Sequence, residues 1–97
     1  MMCEYCHERR AGNLDHVIPR SVVKKREREC RIWPHQPMIP PELRETVGAC
    51  HSCNVAKGTR LLIPASWADR LDELNALNLG TFRVWDGSAE ALRIVVR

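Results

Sequence analysis

Residues 50–58 read Cys-His-Ser-Cys-Asn-Val-Ala-Lys-Gly, and this stretch decides the fold together with Cys3-Glu4-Tyr5-Cys6 near the start of the chain. Two thiolates at Cys-x2-Cys spacing can reach one ion, and two such pairs complete a closed tetrahedral zinc site. Four thiolates leave no open position for water, so we predict a purely structural zinc. Its predicted ligands are Cys3, Cys6, Cys50 and Cys53.

The alternative for the four cysteines is a pair of disulfides. The chain begins Met1-Met2-Cys3-Glu4, without a charged and then apolar leader. We therefore expect a cytoplasmic protein and not an exported, oxidised one. No apolar run approaches the ~20 residues that a membrane span needs, so we expect no membrane partner. The fifth cysteine, Cys30, has no partner at this spacing and is interpreted as a simple thiol.

The charge of the chain is unevenly distributed. Residues 1–60 hold eleven Lys and Arg against seven Asp and Glu, whereas residues 61–97 hold four against five. The basic half also carries the predicted zinc site, which suggests a surface that faces a polyanion such as nucleic acid. The mixed charges at 20–31 would suit an ordinary exposed helix equally well. With 97 residues we expect a single domain over 1–97, small enough to benefit from a metal staple.

The pattern over residues 3–60 predicts two short strands and two helices. The strands cover 14–18 and 45–49, the first ending at Pro19 and the second leading into Cys50. A basic insertion at 21–44 separates them. It consists of a helix that Ser21 caps and that runs to about residue 31, followed by an irregular proline-rich loop. The second helix begins at His51 and stops at Gly58.

Residues 61–97 have the pattern of a scaffold. Ser66 and Asp69 form a capping box for a helix with core-like apolar spacing, and Gly80 ends that helix. The segments 81–85 and 92–96 are strand-like, and Asp86-Gly87 between them predicts a turn. The predicted fold class is therefore α+β, with a C-terminal helix and β-hairpin added to a zinc-braced core.

Asp15, His16 and Asn54 carry the chemistry. Asp and Asn offer hard oxygen atoms, which suit Mg2+ or Mn2+ better than zinc. On a flat strand Asp15 and His16 point to opposite sides, and a twist or bulge is needed to bring both to one rim. If they converge, the ion would clamp a phosphate oxygen while the imidazole takes a proton from water. Each residue alone could instead be structural.

This combination resembles the HNH endonuclease family, whose ββα-metal active site (the His-Me finger) is braced by a four-cysteine zinc. The resemblance covers about residues 3–60. It is carried by Cys3-x2-Cys6, by Leu14-Asp15-His16-Val17-Ile18-Pro19-Arg20-Ser21, and by Cys50-x2-Cys53-Asn54-x2-Lys57-Gly58.

The resemblance implies a metal-dependent DNA endonuclease that leaves 5′-phosphate products. It makes His16 the general base and makes Asp15 and Asn54 the ligands of a catalytic Mg2+ or Mn2+. One chain offers one site, so we expect one nick per site, with the protein either a monomer or a homodimer. We expect phosphate contacts, which bind DNA without regard to sequence, from Arg20, Lys24, Lys25, Lys57 and Arg60.

The chain departs from the family pattern at two points. Glu45 stands where a middle Asn usually fastens the loop between the strands, and an ionised Glu cannot donate hydrogen bonds. The insertion at 21–44 replaces the usual short link. Two other functions compete: a zinc-ribbon-like module that binds nucleic acid or protein, and an inactive nuclease fold kept for DNA binding. A binding module would tolerate His16→Ala, whereas a nuclease would keep DNA binding and lose turnover.

Overall fold

The computed structural model describes residues 1–85, and this part of the chain is a small mixed α/β protein. It contains two pairs of short strands and three α-helices, with 3-10 helices at Pro41–Leu43 and Ala65–Arg70. The elements in chain order are β1 (Asn13–His16), α1 (Arg20–Ile32), β2 (Thr46–Ala49), α2 (His51–Lys57), β3 (Leu62–Ile63), α3 (Leu71–Asn75) and β4 (Arg83–Val84).

The strands β1 and β2 pair antiparallel, with Asn13 opposite Ala49 and His16 opposite Thr46. The two predicted strands are thus present, each shorter than expected. The predicted second helix is confirmed as α2. It ends at Gly58, which has a positive φ of 55° that an L residue rarely adopts.

Helix α1 begins two residues earlier than predicted, at Arg20, and Ser21 does not cap it. Pro19 is the N-cap residue, and no side chain caps this end of the helix. Instead the carbonyl of Pro19 accepts the backbone N–H groups of Val22 and Val23 at 3.0 and 3.1 Å. The fixed φ of proline starts the helix at this point, so a side-chain cap is not needed.

A buried arginine fastens α1 to the rest of the molecule. The Arg26 guanidinium donates hydrogen bonds to the carbonyl oxygens of Pro37, Leu77 and Asn78, at 2.8, 2.7 and 3.2 Å. It also pairs with Glu29 at 3.1 Å. Because α1 is held from the proline-rich loop and from the C-terminal segment, the insertion is an integral part of the fold.

The buried apolar side chains form two clusters. One lies under α1 and the C-terminal segment, and the other surrounds the cysteines. In the second cluster the rings of Tyr5 and Trp85 lie 5.1 Å apart between centroids. The first cluster consists of Val17, Ile18, Ile39, Leu43, Ile63, Trp67, Leu74, Leu77 and Phe82.

The C-terminal segment differs from its prediction. The expected single helix is a 3-10 helix, Ala65–Arg70, followed by the short α3. Pro64 precedes the 3-10 helix with no side-chain cap, so the capping box at Ser66 is wrong. The strand predicted at 81–85 is present as β4, which pairs parallel with β3. The turn at Asp86-Gly87 and the strand predicted at 92–96 lie outside the described residues, so the hairpin stays a prediction.

None of the helices described between residues 1 and 85 combines the length and the apolar character that crossing a membrane requires.

Candidate metal centre and cationic cleft

The four predicted zinc ligands meet in the structure. Their Sγ atoms all lie within 4.8 Å of one another, and those of Cys6 and Cys50 are 3.9 Å apart. A tetrahedral zinc with Zn–S bonds of about 2.3 Å separates its sulfurs by roughly 3.8 Å, whereas a disulfide holds two sulfurs about 2.0 Å apart. The cysteines are free thiols. The cluster therefore has the donors and the spacing to hold a zinc ion, and disulfides are not formed.

Backbone N–H groups point at the sulfurs of this cluster. The N–H of Glu8 donates to Cys6 Sγ at 3.5 Å, and the N–H of Cys53 donates to Cys50 Sγ at 3.4 Å. Cys50 is also the N-cap residue of α2, so its sulfur lies at the positive end of a short helix. These backbone N–H groups therefore supply hydrogen-bond donors to two of the four sulfurs.

The thiols respond to their surroundings in opposite ways. Burial works to raise the pKa of Cys3, but backbone hydrogen bonds from Cys6, Cys50 and Tyr5 outweigh it and lower that pKa to about 7. Burial raises the pKa of Cys53, and its contacts with Cys50, Cys6 and Cys3 raise it further. A thiolate at one cysteine therefore disfavours ionisation of the next thiol, and a bound cation would offset this repulsion.

A buried network joins β1 to both cysteine pairs. Asp15 is 6% exposed and Lys57 is 0% exposed. The Lys57 Nζ donates to Asp15 Oδ2 at 2.8 Å and to the carbonyls of His16 and Val17 at 3.1 and 3.0 Å. The Tyr5 hydroxyl donates to the same Asp15 oxygen at 2.5 Å. Tyr5 lies between the first two cysteines, and Lys57 follows the last one by four residues.

Lys57 was predicted to contact DNA, and that prediction is wrong. Its ammonium group is enclosed and already has three oxygen partners, so it cannot reach a phosphate. Burial lowers the pKa of Lys57, and the Asp15 carboxylate partly offsets this effect. Burial also raises the pKa of Tyr5, with the hydrogen bond and charge of Asp15 adding to it, so Tyr5 stays a hydrogen-bond donor. The role of Lys57 is structural.

His16 lies on the other face of β1. Residues of β1 and β2 pair one to one from Asn13 to His16, so Asp15 and His16 point to opposite sides of the strand. Asp15 is buried, and His16 is exposed. The bulge that would bring both side chains to one rim is not present in this described register.

His16 borders an open cleft of about 250 Å3 between β1 and α1. Arg20 and Lys24, two of the residues proposed to contact phosphate, line it from α1, and Glu27 is the one acidic residue in its wall. The complete lining is His16, Ile18, Arg20, Val23, Lys24, Glu27 and Arg44.

Arg44 was not predicted as a site residue. Its Nε and one terminal nitrogen donate to the carbonyl of Ile39 at 3.0 and 2.9 Å. Its other terminal nitrogen lies 3.9 Å from the Glu27 carboxylate. The guanidinium is thus held in one orientation beside the cleft. The sequence offers one signal for this placement. Arg44 lies two residues before β2, and β2 pairs with the strand that carries His16.

The proposed ligands of the second metal, Asp15 and Asn54, are partly available. Asn54 is half-buried on α2, one turn before Lys57, and its side chain makes no hydrogen bond to any residue described. Asp15 is buried, and its Oδ2 accepts hydrogen bonds from both Tyr5 and Lys57. Within residues 1–85, the four cysteines form the only group of three or more His, Cys, Asp or Glu side chains that could hold a metal.

The remaining predicted DNA contacts are Lys25 and Arg60. Lys25 is exposed on α1 but does not line the cleft. Arg60 is half-buried and donates a hydrogen bond back to the carbonyl of Ala56, at the end of α2. Both remain candidate contacts outside the cleft.

Comparison with protein-family models, curated proteins and solved structures gives no match to this chain. The resemblance to HNH endonucleases therefore stays a prediction.

Removing zinc should unfold the protein. Zinc binding to a small four-ligand site contributes roughly 10 kcal/mol or more, which is comparable to the whole stability of a small domain. We expect one zinc per chain by elemental analysis, and loss of folded circular dichroism after treatment with a strong chelator or in Cys50→Ser. Cys30→Ser is the matched control, since Cys30 lies outside the cluster. A zinc-free protein with an unchanged melting temperature would contradict the prediction.

Lys57→Met should destabilise the fold by about 3–5 kcal/mol because it leaves the buried Asp15 carboxylate without its cation. The double variant Asp15→Asn/Lys57→Met should recover part of this loss, since both charges are then gone. Urea unfolding measures both values. Lys25→Met is the control and should change stability by less than about 0.5 kcal/mol, because Lys25 is exposed. Equal effects of Lys57→Met and Lys25→Met would show that the buried pair does not stabilise the fold.

Proposed function

We propose that this protein is a metal-dependent DNA endonuclease that hydrolyses phosphodiester bonds and nicks one strand per active site. One observation carries the proposal: His16 stands exposed at a cleft that also holds three cations, Arg20, Lys24 and Arg44. The strand beneath it is fixed by a buried ion pair, next to a cluster of four thiols. An accessible imidazole beside converging positive charges suits hydrolysis of a phosphate ester.

His16 is proposed as the general base. Its side chain makes no hydrogen bond or ion pair with the described residues, so a water molecule can reach the ring nitrogens. In its neutral form the imidazole can accept a proton from water that attacks phosphorus. The backbone beneath it is fixed, because the carbonyl of His16 accepts a hydrogen bond from Lys57.

The three cations are proposed to bind the phosphate. A phosphodiester carries one negative charge, and further negative charge develops on its oxygens as water attacks. Arg44 is held in place by Ile39 and Glu27 before substrate binds, so it needs little reorganisation to stabilise that charge. Arg20 and Lys24 are exposed on α1 and are free to adjust to the DNA backbone.

A catalytic Mg2+ or Mn2+ is proposed at Asp15 and Asn54, whose carboxylate and amide oxygens fit such an ion. When bound, the ion would stabilise negative charge on the phosphate and its leaving oxygen. The side chains of Asp15 and His16 project from opposite faces of β1. A phosphate must therefore lie at the edge of the strand to contact both an ion at Asp15 and the imidazole of His16.

A nucleic-acid-binding module without catalytic activity is the second candidate function. The observation that favours it is the Asp15 carboxylate, which Lys57 already neutralises at 2.8 Å. A carboxylate that is paired in this way has less need of a second cation. The two candidates agree on DNA binding and differ on turnover.

His16→Ala should abolish nicking while preserving DNA binding. Loss of a general base lowers rates by about 10²–10⁴-fold. Supercoiled plasmid is incubated with wild type and variant in Mg2+, Mn2+ or EDTA, and open circles should precede linear DNA if the protein is monomeric. His35→Ala is the matched control because His35 is exposed and lies in the proline-rich loop.

Three results would each contradict one part of the proposal. Cleavage that survives in His16→Ala would show that His16 is not the base. Cleavage in EDTA by folded protein would show that no second metal is required. DNA binding with no cleavage in any metal would favour the binding module.

Arg44→Ala should lower kcat about 10²-fold or more, as removal of a fixed charge-stabilising donor does in other enzymes, with a smaller change in KM. Arg44→Lys should recover only part of the loss, since an ammonium lacks the planar fork that Ile39 and Glu27 hold. Steady-state cleavage of a labelled oligonucleotide separates the two constants. Arg9→Ala, a change at an exposed arginine outside the cleft, is the control. A change in KM alone would mean that Arg44 only binds DNA.

A further inference from the structure

An arginine of the C-terminal segment contacts the short stretch that leads into β2. Arg70 is the last residue of the 3-10 helix Ala65–Arg70. One terminal nitrogen of its guanidinium donates to the carbonyl of Glu42 at 3.4 Å and lies 4.0 Å from the Glu45 carboxylate. These two contacts lie on either side of Arg44 in the sequence. Arg70 therefore holds, from a distant part of the chain, the stretch that carries a proposed phosphate-binding residue.

The Arg70 guanidinium is itself held over an aromatic ring. Its central carbon lies 4.3 Å from the centre of the Trp67 ring. Trp67 is 6% exposed and belongs to the apolar cluster under α1. A cation above the face of an indole is attracted to it, and a ring that is packed in the core has a fixed position. The Arg70 side chain is only 34% exposed, so it is a support for the stretch and not a mobile surface charge.

The stretch that Arg70 contacts is exposed between two anchored residues. Leu43 is 0% exposed, and Val47 is half-buried and packs against the core. Residues 44–46 between them are all exposed. Among the described residues, Arg70 makes the one ion pair with Glu45. The stretch ends at Thr46, which pairs opposite His16, so its path sets the distance between Arg44 and the proposed base.

We propose that Arg70 is a positioning residue for the cleft, holding residues 42–45 so that Arg44 faces the phosphate beside His16. Arg70 does not line the cleft, so it acts through Arg44 and not on the substrate. The inference rests on the proposed function in one respect, namely that the phosphate held in the cleft is the one to be cut. It gives the C-terminal segment a role in the site in addition to its part in the core.

The rival interpretation is that Arg70 only stabilises the fold. Long contacts between partly exposed charges contribute little to the free energy of unfolding, and Leu43 and Trp67 are buried without their help. Catalysis is more sensitive, because a donor stabilises a transition state only where charge develops, and a small displacement is costly. A positioning role therefore predicts a larger effect on kcat than on stability.

The test is steady-state cleavage of a labelled oligonucleotide by Arg70→Met, which keeps a side chain over the indole and removes the guanidinium. We expect kcat to fall roughly three- to ten-fold, with KM and the urea midpoint nearly unchanged. Arg70→Lys should recover part of the loss, since an ammonium keeps the attraction to Glu45 but lacks the planar fork. Arg83→Met is the matched control, because Arg83 is exposed in the same C-terminal segment and does not line the cleft.

A double-variant comparison shows whether Arg70 acts through Arg44. In the Arg44→Ala background, Arg70→Met should lower kcat by less than about two-fold more, because the group that it positions is gone. An unchanged kcat in Arg70→Met would overturn the inference. So would equal losses with and without Arg44, or a loss in Arg83→Met as large as that in Arg70→Met.

A second measurement does not depend on cleavage. The Arg44 Nε–H donates to the carbonyl of Ile39 at 3.0 Å, and its exchange with solvent reports how firmly the guanidinium is held. NMR of the isotope-labelled whole chain, with this signal assigned by its loss in Arg44→Ala, should show faster exchange in Arg70→Met and no change in Arg83→Met.

Failure of this inference and failure of the proposed function are distinguishable. Faster Arg44 exchange in Arg70→Met, in a protein that never nicks DNA, would support the positioning role and contradict the nuclease. Nicking that depends on His16, with neither kcat nor Arg44 exchange changed in Arg70→Met, would support the nuclease and overturn the role of Arg70.

Discussion

The rest of the structure depends on the meeting of four sulfurs from two distant segments. The Sγ atoms can lie within 4.8 Å of one another only if residues 3–6 sit beside the start of α2. This juxtaposition brings Tyr5 and Lys57 to the same carboxylate, that of Asp15 on β1. Because Tyr5 lies beside one cysteine pair and Lys57 beside the other, the network connects the thiol cluster to the strand that carries His16.

The buried lysine shows how the remaining parts are fixed. A charge as enclosed as that of Lys57 is costly unless every proton has a partner. Here one carboxylate and two backbone carbonyls accept from it, and the carbonyls belong to His16 and Val17. The ammonium therefore specifies both the position of α2 and the path of the chain immediately after β1. The Lys57 ammonium is costly to bury without these partners, and in the native fold it also fixes the backbone of His16, the proposed base.

Those features that local chemistry controls could be predicted from the sequence. The cysteine spacing predicted the thiol cluster, and Gly58 marked the end of α2. The inward face of β1 could not be predicted from residue type, because apolar Leu14 is 69% exposed whereas charged Asp15 is buried. Asp15 is stable there only through Tyr5 and Lys57, partners ten and forty-two residues away in the chain. The same limit hid Arg44, whose place beside the cleft depends on how the insertion packs.

The side chains of β1 alternate between its two faces, and the two faces have different roles. A chain this small has little core, so the inward side of its central strand is committed to the thiol cluster and the Lys57 pair. The outward side is free of that constraint, and the insertion covers only part of it, leaving a cleft between β1 and α1. The insertion is also the source of Lys24 and Arg44, and Arg20 directly precedes it, so the departure from a short link between the strands supplies two of the three cations. The segment that departs most from the family pattern is therefore the one that supplies most of the wall of the cleft.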